Sequence, residues 1–257
     1  MKLLIHNSLV TCLLLGFIIP HNVYSQDYIK LSKDFFIAVR NKNSEASKYA
    51  DQLAKANPDK LKLQLSNEKI AKAFWINMYN SYVQYSLSKN PELFDDRSTF
   101  FKTEGITIAG QQLSPDDIEH GIIRHSKNKL SMGYLGKISI SDFEKKFRLE
   151  DVDYRVHFAL NCGAKSCPSV AFYNAENIDQ QLNKSTLLYL QKFATYTAKT
   201  NVALVPVLCS WFKADFEGEG GVTRMLIKYS IVPAGKSPTV KYLDYDWTLS
   251  LGNYSDL

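Results

Sequence analysis

An α+β fold, with a helical N-terminal region followed by a core of helices packed on a small antiparallel or mixed sheet, is predicted by three observations on this 257-residue chain. Helix-period apolar patterns fill its first half, and short alternating or continuous apolar runs gather in its second. Its composition, 45% hydrophobic and 12% aromatic with no internal repeat or low-complexity linker, is enough for one packed core.

Residues 1–25 read as a secretory signal peptide. Lys2 precedes an apolar run over 9–19, Pro20 breaks it, and Val23-Tyr24-Ser25 offers a cut before Gln26. That run is about half of the ~20 residues that span a bilayer, so the mature chain is expected to be periplasmic or secreted, without stable membrane insertion. Cys12 lies inside the apolar run and lacks the small residues that follow a lipoprotein cysteine. Cys162, Cys167 and Cys209 then remain, and an odd number leaves at least one without an intramolecular partner.

Residues 26–65 form a helical lead-in. Phe35, Phe36 and Val39, then Tyr49 and Leu53, suggest two amphipathic helices split near 41–43. The main domain is expected over 66–257. Ser66 is a plausible N-cap for a helix in which Ile70, Phe74, Met78 and Tyr82 run beside Trp75, Tyr79 and Val83, a wide apolar face that predicts a central, buried element. Asn77, Asn80 and Gln84 share one side of it, and Asn90-Pro91 ends it. A short strand or hairpin around 105–110 leads to Ser114-Pro115-Asp116-Asp117, a strong helix start; that helix reaches about His125 and carries Glu119 and His120. Ser141 with Glu144 reads as a capping box. Residues 155–162 alternate as a strand, with His157 and Asn161 on the face opposite Cys162. Asn177 opens an amphipathic helix, 202–209 reads as a buried strand, Gly218 to Gly221 introduce another helix, and 240–249 alternates as a last strand.

Four segments, Phe74-Trp75-Ile76-Asn77-Met78-Tyr79-Asn80, Asp117-Ile118-Glu119-His120-Gly121-Ile122-Ile123-Arg124, RVHFALNCGAKSCP over 155–168 and YLDYDWTL over 242–249, resemble the signatures of the family called domain of unknown function 547. With Trp211-Phe212 and Asp215-Phe216 they extend the resemblance from about Ser66 to the end. It implies a fold shared across bacteria and plants and brings no reaction. Cys209 stands where that family tends to have an apolar residue, which makes it a buried structural thiol.

The chemistry stays open at this level. The formal charge of +5 is mild and dispersed, which argues against nucleic acid. Nucleotide loops, Gly-x-Ser-x-Gly elbows and His-Glu-x-x-His pairs are missing from the sequence, so no cofactor is expected. Cys162 and Cys167 can form a disulfide, supply a nucleophile, give half of a zinc site or simply pack; one Cys-x4-Cys is a weak zinc signal even with His120 and His157 nearby. The first functional hypothesis is an exported thiol-dependent hydrolase or acyl transferase of peptide or amide bonds, by analogy with papain and transglutaminase architecture. There Cys162 attacks, His120 or His157 takes its proton, and Asn161 or Asn77 donates to the oxyanion. Glu119 flanks the same helix stripe, and because adjacent helical residues diverge, one of Glu119 and His120 is expected in a cleft and the other in solvent. His120 and Arg124 at i, i+4 read as a surface pair. The alternative is a non-catalytic exported module in which a Cys162–Cys167 disulfide fixes a loop beside an aromatic pocket for peptide or glycan.

Overall fold

The computed structural model describes residues 26–257; the signal peptide read from residues 1–25 lies outside them. Three helices lead: α1 (Tyr28–Arg40), α2 (Ala46–Ala54) and α3 (Pro58–Gln64). Asp27 and Asn57 cap α1 and α3 by accepting from backbone N–H groups of the first turn. Tyr28, Leu31, Phe35 and Leu53 turn inward onto the next helix.

That helix, α4 (Glu68–Lys89), is the axis of the molecule. Asn67, rather than Ser66, is its N-cap. Buried side chains run all round it from Ala71 to Gln84, because α1, the turn over 91–94 and the segment over 117–123 pack against it and its Tyr82 hydroxyl donates to Thr107 O. α5 (Arg97–Lys102) and the antiparallel hairpin β1 (Ile106–Ile108) and β2 (Gln111–Leu113) follow. Then comes a π-helical segment, Asp117–Ile123, in place of the α-helix the Ser-Pro-Asp-Asp start suggests. α6 (Asp142–Phe147) is capped by Ser141, which accepts from the Glu144 N–H at 3.1 Å; the Glu144 carboxylate pairs instead with Lys137 at 3.0 Å.

The alternating segment over 155–162 is not a strand. It begins as a 3-10 helix, Tyr154–Phe158, with Asp153 accepting from the Arg155 N–H. Val156, His157 and Phe158 are buried in succession, so no face meets solvent and the alternation has nothing to sort. After α7 (Ile178–Phe193), a three-stranded mixed sheet combines β3 (Thr195–Thr197), β4 (Val202–Pro206) and β5 (Thr239–Leu243) in the order β3-β4-β5. β4 pairs antiparallel with β3 and parallel with β5, Val202 facing Thr239. α8 (Leu208–Trp211) and α9 (Gly218–Lys228) form the crossover. The run over 202–209 therefore divides between strand and helix, and the final pattern over 240–249 leaves the sheet after Leu243.

Two apolar clusters result. One surrounds α4; the other joins α7, β4 and α9 around Phe158, Leu190, Val205 and Leu226. Beyond β5 the chain becomes a strap that hydrogen-bonds back onto 163–170, through Lys165 N–H to Thr248 O, Ser250 N–H to Gly163 O and Val170 N–H to Asn253 O. Among the described residues no helix is long and apolar enough to cross a membrane. The architecture is α+β.

Candidate functional site

A cavity of about 460 Å³ opens where the two clusters meet. Tyr79 of α4, Trp211 of α8 with Phe212 just after it, and Tyr245 and Trp247 of the strap supply aromatic wall; Asp116, Glu119 and His120 supply polar wall; Cys162 and His157 also border it. Leu130 and Met132, both largely exposed, stand at its mouth.

The π-helical segment explains why Glu119 and His120 both reach this space. Its i to i−5 bonds, Arg124 N–H to Glu119 O and Ser126 N–H to Gly121 O, each 2.8 Å, add a residue per turn and widen the arc over which side chains face one direction. The expected division, one residue in the cleft and the other in solvent, fails for this reason. His120 is 3% exposed. Its Nδ1 lies 2.9 Å from the Arg124 guanidinium, and since arginine only donates, Nδ1 accepts and the proton sits on Nε2. Nε2 faces Asp116 Oδ1 at 3.6 Å. Burial, then the neighbouring Arg124 charge, pulls the His120 pKa down and keeps the ring neutral.

Arg124 is wholly buried rather than on the surface with His120. It forks onto Asp215, Nε to Oδ2 at 2.6 Å and a terminal nitrogen to Oδ1 at 3.1 Å. Asp215 Oδ2 also accepts from His157 Nε2 at 2.8 Å. Burial alone would raise the Asp215 carboxyl, but hydrogen bonds from His157 and Arg124 outweigh it and hold the pKa at about 2. The Phe212 ring stacks on His157 at 3.9 Å between centroids and takes the Arg124 guanidinium at 4.5 Å. Gly133, at φ +86°, closes over this pair: a Cβ there would meet Asp215 Oδ1 at 2.5 Å and the Arg124 guanidinium at 2.8 Å.

Glu119 differs. Burial raises its carboxyl to about 7 against the lowering influence of Arg124. Tyr79 lies beside it, and burial followed by the Glu119 charge drives the Tyr79 phenol well above its ordinary range.

Cys162 and Cys167 are joined by a disulfide. The Tyr245 hydroxyl touches both sulfurs, at 3.3 and 3.2 Å, tying the bridge to the strap. Gly163 turns the loop at φ +89°, where a side chain would strike Leu87 at 2.8 Å. Among the described residues Cys209 is the free cysteine, fully buried and pushed up to about 12 by burial.

The two amides proposed for an oxyanion are otherwise engaged. Asn77 donates to Tyr173 O and accepts from Tyr173 N–H, at 2.8 and 2.9 Å. Asn161 donates to Pro168 O at 2.6 Å, and its oxygen accepts from Gln84 and from Gly163 N–H. Neither borders the cavity. Asn80 holds Ala159 O and Asn161 N–H in the same way, so the amide stripe of α4 clamps the chain leading into the disulfide loop. The structure thus brings four of the six candidate residues, Cys162, His157, Glu119 and His120, to one cavity and leaves Asn77 and Asn161 behind its wall.

It misses Arg124 and Asp215 as a buried pair. The signal available was Asp215 itself, an acidic residue set among Trp211, Phe212 and Phe216, where a carboxylate requires a buried cationic partner.

No curated protein and no solved structure matches the chain. The model of the protein family of unknown function DUF547 matches residues 61–190, which takes in α4, the π-helical segment, the disulfide loop and most of α7, and stops before Asp215 and the strap. On that match, half of its length, the chain belongs to the DUF547 family.

Proposed function

We propose that this chain is an exported ligand-binding module, in which the Cys162–Cys167 disulfide fixes one wall of an aromatic pocket for a small molecule or part of a peptide or glycan. The carrying observation is the 460 Å³ cavity whose wall includes Cys162 and Tyr245, the latter touching both bridged sulfurs. Concave sites that combine mostly apolar wall with a few convergent polar groups are the usual form of small-molecule sites. While bridged, Cys162 has no thiolate with which to attack.

One observation favours a second reading: Cys162, His120 and His157 share the cavity. Thiol-dependent hydrolysis or acyl transfer at a peptide or amide bond then requires reduction of the bridge by an external dithiol. Intact mass and alkylation of the natively purified protein separate the two. The binding reading expects only Cys209 to be alkylated in the denatured, unreduced chain, with Cys162 and Cys167 reacting after reduction, and saturable quenching of tryptophan fluorescence by small aromatic ligands. A free Cys162 together with amide turnover that disappears in Cys162→Ser would replace it with the thiol mechanism.

A further inference from the structure

We infer that the cavity takes a cation, an amine or quaternary ammonium carried on an apolar body, because its charge balance leaves one carboxyl without a cationic partner among aromatic walls. This rests on the ligand-binding reading above. Of the acidic groups bordering the cavity, Asp116 is satisfied by Lys129 at 2.9 Å. Asp215, behind the wall, is satisfied by Arg124. Glu119 receives no lysine or arginine at hydrogen-bond distance among the described residues, and the nearest histidine nitrogen, His120 Nδ1 at 3.8 Å, already accepts from Arg124. A carboxyl so placed in low-dielectric surroundings either keeps its proton or gains a cation.

The walls suit the second outcome. Trp211, Tyr245 and Trp247 form a mutual cluster, with centroids 5.0, 4.6 and 5.7 Å apart. Trp247 already carries the Arg97 guanidinium 5.0 Å from its centroid, which shows the local aromatic surface accepting positive charge. Aromatic faces beside a carboxylate are the usual recognition surface for ammonium groups. Leu130 and Met132 at the mouth extend apolar surface outward for the rest of the ligand.

Other charged or titratable groups face Glu119 from each neighbouring element: Tyr79 from α4, Asp116, His120 and Arg124 on its own segment, Lys129 from the following loop, and Tyr245 from the strap. Burial holds the Tyr79 phenol up and the His120 imidazole down, and raises the Glu119 carboxyl to about 7, so the negative charge on Glu119 grows from pH 6 to pH 8.

The test compares 4-phenylbutylamine, 4-phenylbutan-1-ol and 4-phenylbutyrate, three head groups on one body, by calorimetry and tryptophan fluorescence with the disulfide-intact protein. The amine is expected to bind about tenfold more tightly than the alcohol at pH 8, that preference to shrink toward pH 6, and the carboxylate to bind least. In Glu119→Gln the amine should lose its preference over the alcohol, and the amine-to-alcohol ratio should no longer differ between pH 6 and pH 8. If that variant does not fold, the pH dependence of the amine-to-alcohol ratio in the unaltered protein decides alone. Equal binding of amine and alcohol at pH 8, or tighter binding of the carboxylate, overturns the cation inference and leaves the pocket standing. Failure of all three to bind overturns the pocket reading itself.

Discussion

Glu119 and Asp215 belong to one chain of contacts through His120 and Arg124, yet their ionisation is driven in opposite directions. Asp215 receives two charged or strongly polar donors in place of water, and its stabilising ionisation is complete above its ordinary pKa of 3.8 and lost as pH falls toward about 2. Glu119 loses water without gaining a cation. Its folded pKa of about 7 exceeds the ordinary 4.5, so the folded chain holds the extra proton and stability falls as pH rises between those values. Glu119→Gln is therefore expected to be more stable than the parent at pH 8, by up to about 3 kcal/mol, and to show no gain at pH 4. Urea titrations at the two pH values check this. Arg124→Met has the reverse character. It leaves the Asp215 carboxylate, with a side chain 0% exposed, facing only His157, at an expected cost of about 3–5 kcal/mol near neutral pH. A loss below 1 kcal/mol would mean that water reaches Asp215.

Among the elements, α4 carries most of the positioning. Phe74 and Trp75 are essentially inaccessible, Trp75 lying edge-on to Phe74 and Phe147 at 5.2 and 5.7 Å. Truncating Trp75 to Ala is expected to cost about 3–5 kcal/mol. Its amide side works by hydrogen bonding instead: Asn77→Ala strands Tyr173 N–H and C=O, each worth about 1–3 kcal/mol when buried unpaired. Thermal denaturation of both variants by circular dichroism measures these losses. A well-folded Asn77→Ala that binds the pocket ligands normally would fit its clamp role and exclude it from ligand contact. The burial of α4 was legible from its spacing-four stripes, and so was its end at Asn90-Pro91. The π-helical character of Asp117–Ile123 was not: Ser114 and Pro115 specify a helix start, but the wider turn depends on side chains packed against it.

For the whole molecule, the cavity exists because two apolar clusters meet incompletely and the strap from Tyr245 onward closes the gap. The disulfide takes part by holding a loop to which the strap hydrogen-bonds at four residues, Gly163, Lys165, Ser166 and Val170. Closing so short a loop is worth about 2 kcal/mol. Cys162→Ser and Cys167→Ser should therefore lose similar amounts, and each should loosen the strap, read as faster hydrogen exchange at the Ser250 and Lys165 amides, which bond to Gly163 O and Thr248 O. Unequal losses, with Cys167→Ser nearly neutral, would separate the two sulfurs and argue against a shared structural role.

The sequence by itself determined the helical lead, the class, the central helix, the hairpin and the starts of several helices, because capping, proline geometry and helix period act over a few residues. It also marked Cys162, His157, Glu119 and His120 as chemistry-bearing. Only the tertiary structure decided which partners they have. Whether 155–162 alternates as a strand or winds as a 3-10 turn depends on enclosure from both sides, which periodicity does not encode. Asp215 lies 91 residues from Arg124 and 58 from His157, and Tyr245 lies 83 from Cys162. Contacts over such separations arise when distant apolar surfaces bury together, and the charges they trap take whatever partner the packing leaves within reach.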